Sequence, residues 1–139
     1  MIKPNNTVEK IFARLFMEAQ KVREHAHAPY SHFQVGAALL STKRKIYKGV
    51  NVENASYGLT LCAERVAITS ALTQGDKDFV ALAIVADTLP LPCGACLQVM
   101  SEFFSPRALV GVYALKTKEK RYYKFSELLP HAFTLKEEN

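Results

Sequence analysis

Cysteine is scarce in this chain. There are three among 139 residues, an odd number, and two of them, Cys93 and Cys96, stand close together. That excludes a disulfide framework and favours thiolate chemistry in a reducing compartment. Long apolar runs are missing too: none reaches the roughly 18–20 residues that span a bilayer. The opening stretch Met1-Ile2-Lys3-Pro4-Asn5-Asn6 lacks the apolar core of a secretory signal. A cytoplasmic location with no membrane partner is therefore expected. No repeat or linker divides the sequence, so residues 1–139 read as one domain. Dense basic tracts are also rare, although the formal net charge is +5. Lys43-Arg44-Lys45 and the run Lys116–Arg121 read as turns, without the interleaved aromatics of a nucleic-acid groove, so no nucleic-acid partner is expected.

What is present suits a globular core. Apolar residues make up 49% and charged residues 22% of the chain, enough to fold without disulfide staples. Asn6 with Glu9 makes a capping box, and Val8, Ile11, Phe12, Leu15, Ala19 and Val22 recur at helical spacing. This predicts a helix from Thr7 to His25, ended before Pro29. Phe33–Leu40 and Ile46–Val52 read as strands, antiparallel because their link is so short. A polar loop, 51–60, precedes a helix from Leu61 to Gly75, the latter a suitable C′ glycine. Phe79–Ala86 is almost wholly apolar, as a central strand is. A third helix runs from Cys93 to Phe104 behind Pro92. Ala108–Leu115 and Tyr122–Phe125 read as strands too close together for a parallel crossover, hence an antiparallel pair. Ser126–Leu129 makes a last helical turn. The sum is an α/β fold of three α/β/α layers on a mixed five-stranded sheet, its last two strands antiparallel.

All three cysteines lie in two short stretches, Cys62-Ala63-Glu64-Arg65 and Pro92-Cys93-Gly94-Ala95-Cys96. Both stand at predicted helix starts, where free N–H groups and the helix dipole stabilise thiolates. Three thiolates fit one tetrahedral Zn²⁺ with an open fourth position for water. Glu64 is then placed to take a proton from that water. Three thiolates on Zn²⁺ leave a net charge of −1, so the bound water is a poorer acid than at a site with a neutral histidine. Arg65 can offset this by hydrogen bonding to a ligand sulfur. Two other readings stay open from spacing alone. One is a structural zinc completed by His25, His27, His32 or His131. The other is a redox Cys-x-x-Cys pair, which leaves Cys62 unexplained.

With these residues in view, the chain resembles the cytidine deaminases of the small, homotetrameric, three-cysteine zinc class. The run from Pro29 through Phe33 to Leu39 resembles that family's first strand. Asn51-Val52-Glu53-Asn54-Ala55-Ser56-Tyr57 resembles its ribose-binding loop, the two cysteine stretches its zinc motifs, and Glu127–Phe133 its C-terminal segment. The resemblance implies hydrolytic deamination of cytidine and deoxycytidine, with ammonia released, in pyrimidine salvage. Cys62, Cys93 and Cys96 would bind one Zn²⁺ per subunit, zinc-bound hydroxide would attack C4, and Glu64 would shuttle protons to N3 and the leaving amine. Asn51 and Glu53 would hydrogen-bond the ribose 3′-hydroxyl, Phe33 would pack on the substrate, and backbone at Ala63 would hold the pyrimidine edge. Ala55, Tyr57 and Phe133 would reach across interfaces of a homotetramer that shares its sites.

Each assignment has a plainer rival. Phe33 heads an apolar run and suits a core; Asn51 and Glu53 suit the polar face of a strand end; Tyr57 suits a loop surface; Phe133 suits closure of the subunit's own core. One departure stands out. Leu97 follows the second motif where many relatives have arginine, which leaves Arg65 the one obvious counter-charge. The tail after Phe133 ends Lys136-Glu137-Glu138-Asn139 and reads as frayed.

Overall fold

The computed structural model describes residues 1–135; the expectation for the last four residues lies outside them. The first helix, α1, spans Asn6–Arg23. Its cap is Asn5, not Asn6: the Asn5 Oδ1 accepts from the Val8 N–H at 2.9 Å. It ends two residues before the expected His25, because the N–H groups of His25 and Ala26 bond to the carbonyls of Val22 and Arg23 in a tightening turn.

Strands β1 (Gly36–Ser41) and β2 (Ile46–Val50) form the expected antiparallel pair, with Gly36 opposite Val50. Phe33 stands outside the strand that was predicted to include it. The Val35 N–H is taken by the Asn51 side chain at 2.9 Å instead of by a neighbouring strand, so the ladder opens one residue later. Helix α2 spans Ala63–Thr73. It begins after Leu61 because Leu61 is held in a bridge to Val52, with an N–H to carbonyl bond of 2.9 Å in each direction. Gly75, with φ +85°, closes it in the conformation that favours glycine. Strand β3 is Phe79–Ala86 and helix α3 is Gly94–Phe103. Strand β4, Phe104–Ala114, starts earlier than expected because Phe104 already pairs with Phe79. Strand β5 (Glu119–Lys124) returns antiparallel, and a four-residue helix, α4 (Phe125–Leu128), follows.

The five strands run in the order β2-β1-β3-β4-β5, with β3 and β4 parallel and every other neighbouring pair antiparallel. The connections β2-α2-β3 and β3-α3-β4 step across the sheet in the same direction. Crossovers of one hand then deliver both helices to one face. The core divides accordingly. Phe12, Leu15, Phe16 and Ala19 of α1 cover Ala38, Ala81, Ala83 and Val85 on one side. Ala67, Ile68, Cys96 and Met100 of α2 and α3 cover Leu39, Leu82, Ile84 and Val110 on the other. No described helix is long and apolar enough to cross a membrane.

Gly49 sets how closely α2 approaches the sheet. A methyl group there would lie 2.3 Å from the Ala63 carbonyl oxygen and 2.4 Å from the Ala67 nitrogen, both backbone. Gly49→Ala is expected to destabilise the protein by about 1–3 kcal/mol or more, seen as a lower urea midpoint. Gly58→Ala, which meets nothing within 4 Å, should stay within about 0.5 kcal/mol of wild type.

Candidate metal centre and adjoining cavity

The same-face placement brings the N-termini of α2 and α3 together. Cys62 is the N-cap residue of α2 and Cys93 that of α3, and neither side chain makes a capping hydrogen bond. Both sulfurs are left free to face each other. Cys96 follows in the first turn of α3 and is fully buried. The Sγ atoms of Cys62 and Cys93 lie 3.9 Å apart and those of Cys93 and Cys96 3.6 Å apart. All three fall within 4.8 Å of one another. Zinc–sulfur bonds of about 2.3 Å in a tetrahedron would separate the sulfurs by about 3.8 Å, so the donor set fits zinc as it stands.

One neighbouring group reinforces that fit. The Arg65 guanidinium reaches back along the first turn of α2, its Nη2 donating to Cys62 Sγ at 3.4 Å and to the Thr60 carbonyl at 3.5 Å. Its Nε is buried without a partner, a cation held against sulfur where anionic thiolates are called for. Leu97 offers no second charge; it is buried in the apolar core beneath α3. The thiols do not share protons evenly. Hydrogen bonding from Cys96 and the Arg65 charge bring Cys62 down to about 5. Its hydrogen bond to Cys62, together with burial, drives Cys96 strongly upward. Cys62 is the first of the pair to ionise.

Glu64 occupies the second position of α2 and is 5% exposed. Burial raises its carboxyl above the usual carboxylate range, although a hydrogen bond with Cys96 pulls the other way. A buried carboxylate beside a thiolate cluster holds a proton more readily than one in water, as an acid/base group must. His25, His27, His32 and His131 are all exposed, and none joins the three-sulfur group among the described residues. The open fourth position is therefore filled by no protein ligand among them.

Above the sulfurs lies a cavity of about 220 Å³. Phe33, Val35, Asn51, Ala63 and Glu64 line it together with Cys62 and Cys93. A second cleft, of about 310 Å³, is formed by Tyr30, Ser31, Glu53 and Tyr57, and Thr60 borders both. Phe33, Asn51, Ala63 and Glu64 thus meet at one wall, with Glu53 and Tyr57 next door. Ala55 is exposed and borders neither space. Phe133 is 67% exposed and lies outside both, its carbonyl accepting from Gln98 Nε2 at 3.0 Å. Leu61, Pro90 and Leu91 complete the cavity wall and were not singled out from the sequence. The alternation Leu89-Pro90-Leu91-Pro92 just before Cys93 was the available signal, an extended stretch bound to run beside the site.

An α/β domain that joins two helix N-termini over three sulfurs, with a buried glutamate beside an open ligand position, belongs to the hydrolytic zinc class. Comparison with known proteins narrows it. The profile described as the cytidine and deoxycytidylate deaminase zinc-binding region matches residues 10–112. The cytidine deaminase of Halalkalibacterium halodurans is 50% identical over 127 residues, covering 90% of this chain and 96% of its own length. That of Sporosarcina psychrophila is 46% identical and covers 91% of each. The crystal structure of cytidine deaminase from Burkholderia pseudomallei superposes with a TM-score of 0.83 at 45% identity, covering 87% of this chain and 98% of its own. The chain belongs to the cytidine and deoxycytidylate deaminase zinc-binding family.

Cys93→Ser should abolish stoichiometric zinc, read by metal analysis of the purified protein. Arg65→Gln should keep the fold but lower zinc affinity roughly 10–100-fold in competition with a chelator. Unchanged affinity would remove Arg65 from the charge balance.

Proposed function

We propose that the protein, as one catalytic domain over residues 1–139, hydrolyses cytidine and deoxycytidine to uridine and deoxyuridine with release of ammonia, a step of pyrimidine salvage in the cytoplasm. The observation that carries this reading is the buried Glu64 carboxylate beside the three sulfurs at a cavity walled by Phe33. Bound by Cys62, Cys93 and Cys96, zinc supplies the Lewis acidity that makes water a nucleophile near neutral pH. The chain's own groups do the rest. Glu64 accepts the proton released as water attacks C4 of the base. It passes that proton to N3, then takes a second from the hydroxyl now on C4 and gives it to the departing amine, so that one carboxylate serves as base and then acid. Its raised proton affinity suits it to hold the proton between the two transfers. Arg65 fixes Cys62 and balances the thiolate charge.

Substrate placement follows the two spaces. The pyrimidine enters the cavity against Phe33, with the backbone at Ala63 on its edge. The sugar extends toward Asn51 and Glu53, in the direction of the adjoining cleft. Ala55, Tyr57 and Phe133 serve neighbouring subunits of a homotetramer. Their support is apolar surface that the chain leaves bare: Tyr57 is 77%, Leu59 67% and Phe133 67% exposed. Tyr57 and Leu59 share one short turn, and bare apolar groups side by side suit an interface.

An absorbance assay on cytidine, deoxycytidine, blasticidin S and single-stranded oligonucleotides tests the reading. Turnover of the first two is expected. If neither is turned over, the proposal is wrong, and activity confined to blasticidin S or oligonucleotides would redirect it. Glu64→Gln should retain zinc and fold while turnover falls about 10²–10⁴-fold; an undiminished rate would instead indicate a different acid/base group. Sedimentation should show a tetramer, and a fully active monomer would contradict the shared site.

A further inference from the structure

A groove of about 420 Å³ lies between α1 and the β1–β2 hairpin. It shares no residue with the cavity above the sulfurs. The sheet stands between the two, since α1 covers one face and α2 and α3 the other. The floor of the groove is aliphatic: Ile11 and Leu15 of α1, Leu40 of β1 and Ile46 of β2 are buried or half-buried. Its rim is cationic, with Lys10 and Arg14 from α1 and Arg44 from the hairpin turn, all exposed. The size suits a small ligand, whose pockets run to about 300–1,000 Å³.

The three positive charges are not spent within the chain. None of them has an ion-pair partner among the described residues. Lys10 and Arg14 stand four residues apart on α1, a spacing at which like charges oppose the helix. Glu18, four residues beyond Arg14, faces Lys48 of β2 instead, at 3.4 Å. Arg44 is held at φ 63°, with its N–H donating to the Ser41 carbonyl at 3.0 Å. That position of a hairpin turn favours glycine. An arginine kept there against backbone preference places its side chain on the groove.

The charge on the rim selects the ligand. A single carboxylate would leave two cations unanswered. A run of phosphoryl groups concentrates several negative charges in a short span, and guanidinium groups bind phosphate oxygens in pairs. The aliphatic floor calls for an apolar face on the same molecule, which the flat base of a nucleotide provides. We propose that this groove binds a nucleoside 5′-triphosphate, its phosphates along Lys10, Arg14 and Arg44 and its base on the floor of Ile11, Leu15, Leu40 and Ile46. The floor offers no base-specific hydrogen bond, so ATP represents the class. The site stands independently of the deaminase reading.

Calorimetric titration of the zinc-loaded protein with ATP, in magnesium-free buffer that leaves the phosphate charges uncompensated, tests the proposal. Saturable binding of one ATP per chain, with Kd below about 1 mM, is expected. Arg44→Gly and Arg14→Gln should each weaken it roughly 10–100-fold. Arg44→Gly should at the same time keep or raise the thermal midpoint, because glycine suits the turn. Inorganic triphosphate should bind at least about fivefold more weakly than ATP, having no face for the floor. Lys116→Gln serves as the control, in the turn between β4 and β5 at the opposite end of the sheet from Ser41. It should change affinity by less than about twofold. Excess cytidine should leave ATP binding unaltered. The proposal is overturned by the absence of saturable binding, by affinity that survives both arginine substitutions, or by equal affinity for inorganic triphosphate. An equal loss in Lys116→Gln overturns it as general charge attraction, and displacement by cytidine does so by placing the nucleotide at the metal centre.

Discussion

Two helix N-termini that point sulfur at one another set the terms for the rest of this molecule. Each exposes unpaired N–H groups and the positive end of a dipole, so each favours negative charge. Cys62 and Cys93 stand at the two cap positions and use their side chains for neither cap. Bringing three thiolates within 4.8 Å is costly without a cation to gather them, and Arg65 answers only part of that need. The sheet order explains how the approach is achieved. Two crossovers stepping the same way place α2 and α3 side by side. The bare backbone at Gly49 lets α2 settle close enough for its first turn to reach α3.

The cavity wall formed by Phe33 is built differently. No regular element carries Phe33; it belongs to a connection between α1 and β1 that is fastened from below by Asn51 and Glu53. The sulfur-bearing wall of the cavity is thus held by helix starts packed in the core, and the Phe33 wall by a few polar bonds at a loop. Such an arrangement allows the chemistry to stay fixed while the pocket wall is adjusted by changes in the loop.

Much of this was legible in the sequence where the signals are local. The apolar run of β3 appears as read, residue for residue. Gly75 closes α2 with the positive φ expected of it. The short link between β4 and β5 does produce an antiparallel pair. Three of the misjudged boundaries share one cause. The start of β1 was moved by Asn51, the start of α2 by the bridge from Leu61 to Val52, and the start of β4 by Phe79. In each case a partner distant in sequence took the hydrogen bond that local pattern had assigned elsewhere. The two ends of α1 differ, being settled locally: Asn5 displaces Asn6 as the cap, a choice between adjacent equivalents that spacing alone does not separate, and a tightening turn closes the helix at Arg23.

The sequence by itself determined the chemistry: three thiolates and a glutamate at fixed offsets from two helix starts. Residue type and spacing along a helix dictate which side chains share a turn. It also carried the family resemblance that the comparisons bore out. Only the tertiary structure decided what surrounds that chemistry. It set the histidines at the surface and the metal group apart from them. It brought Leu61, Pro90 and Leu91 to the cavity wall and left Phe133 outside it. It also turned the Asn51 amide inward onto Phe33 and Val35. These outcomes depend on which distant backbone groups remain unpaired after the sheet has formed, and a linear pattern does not contain that competition.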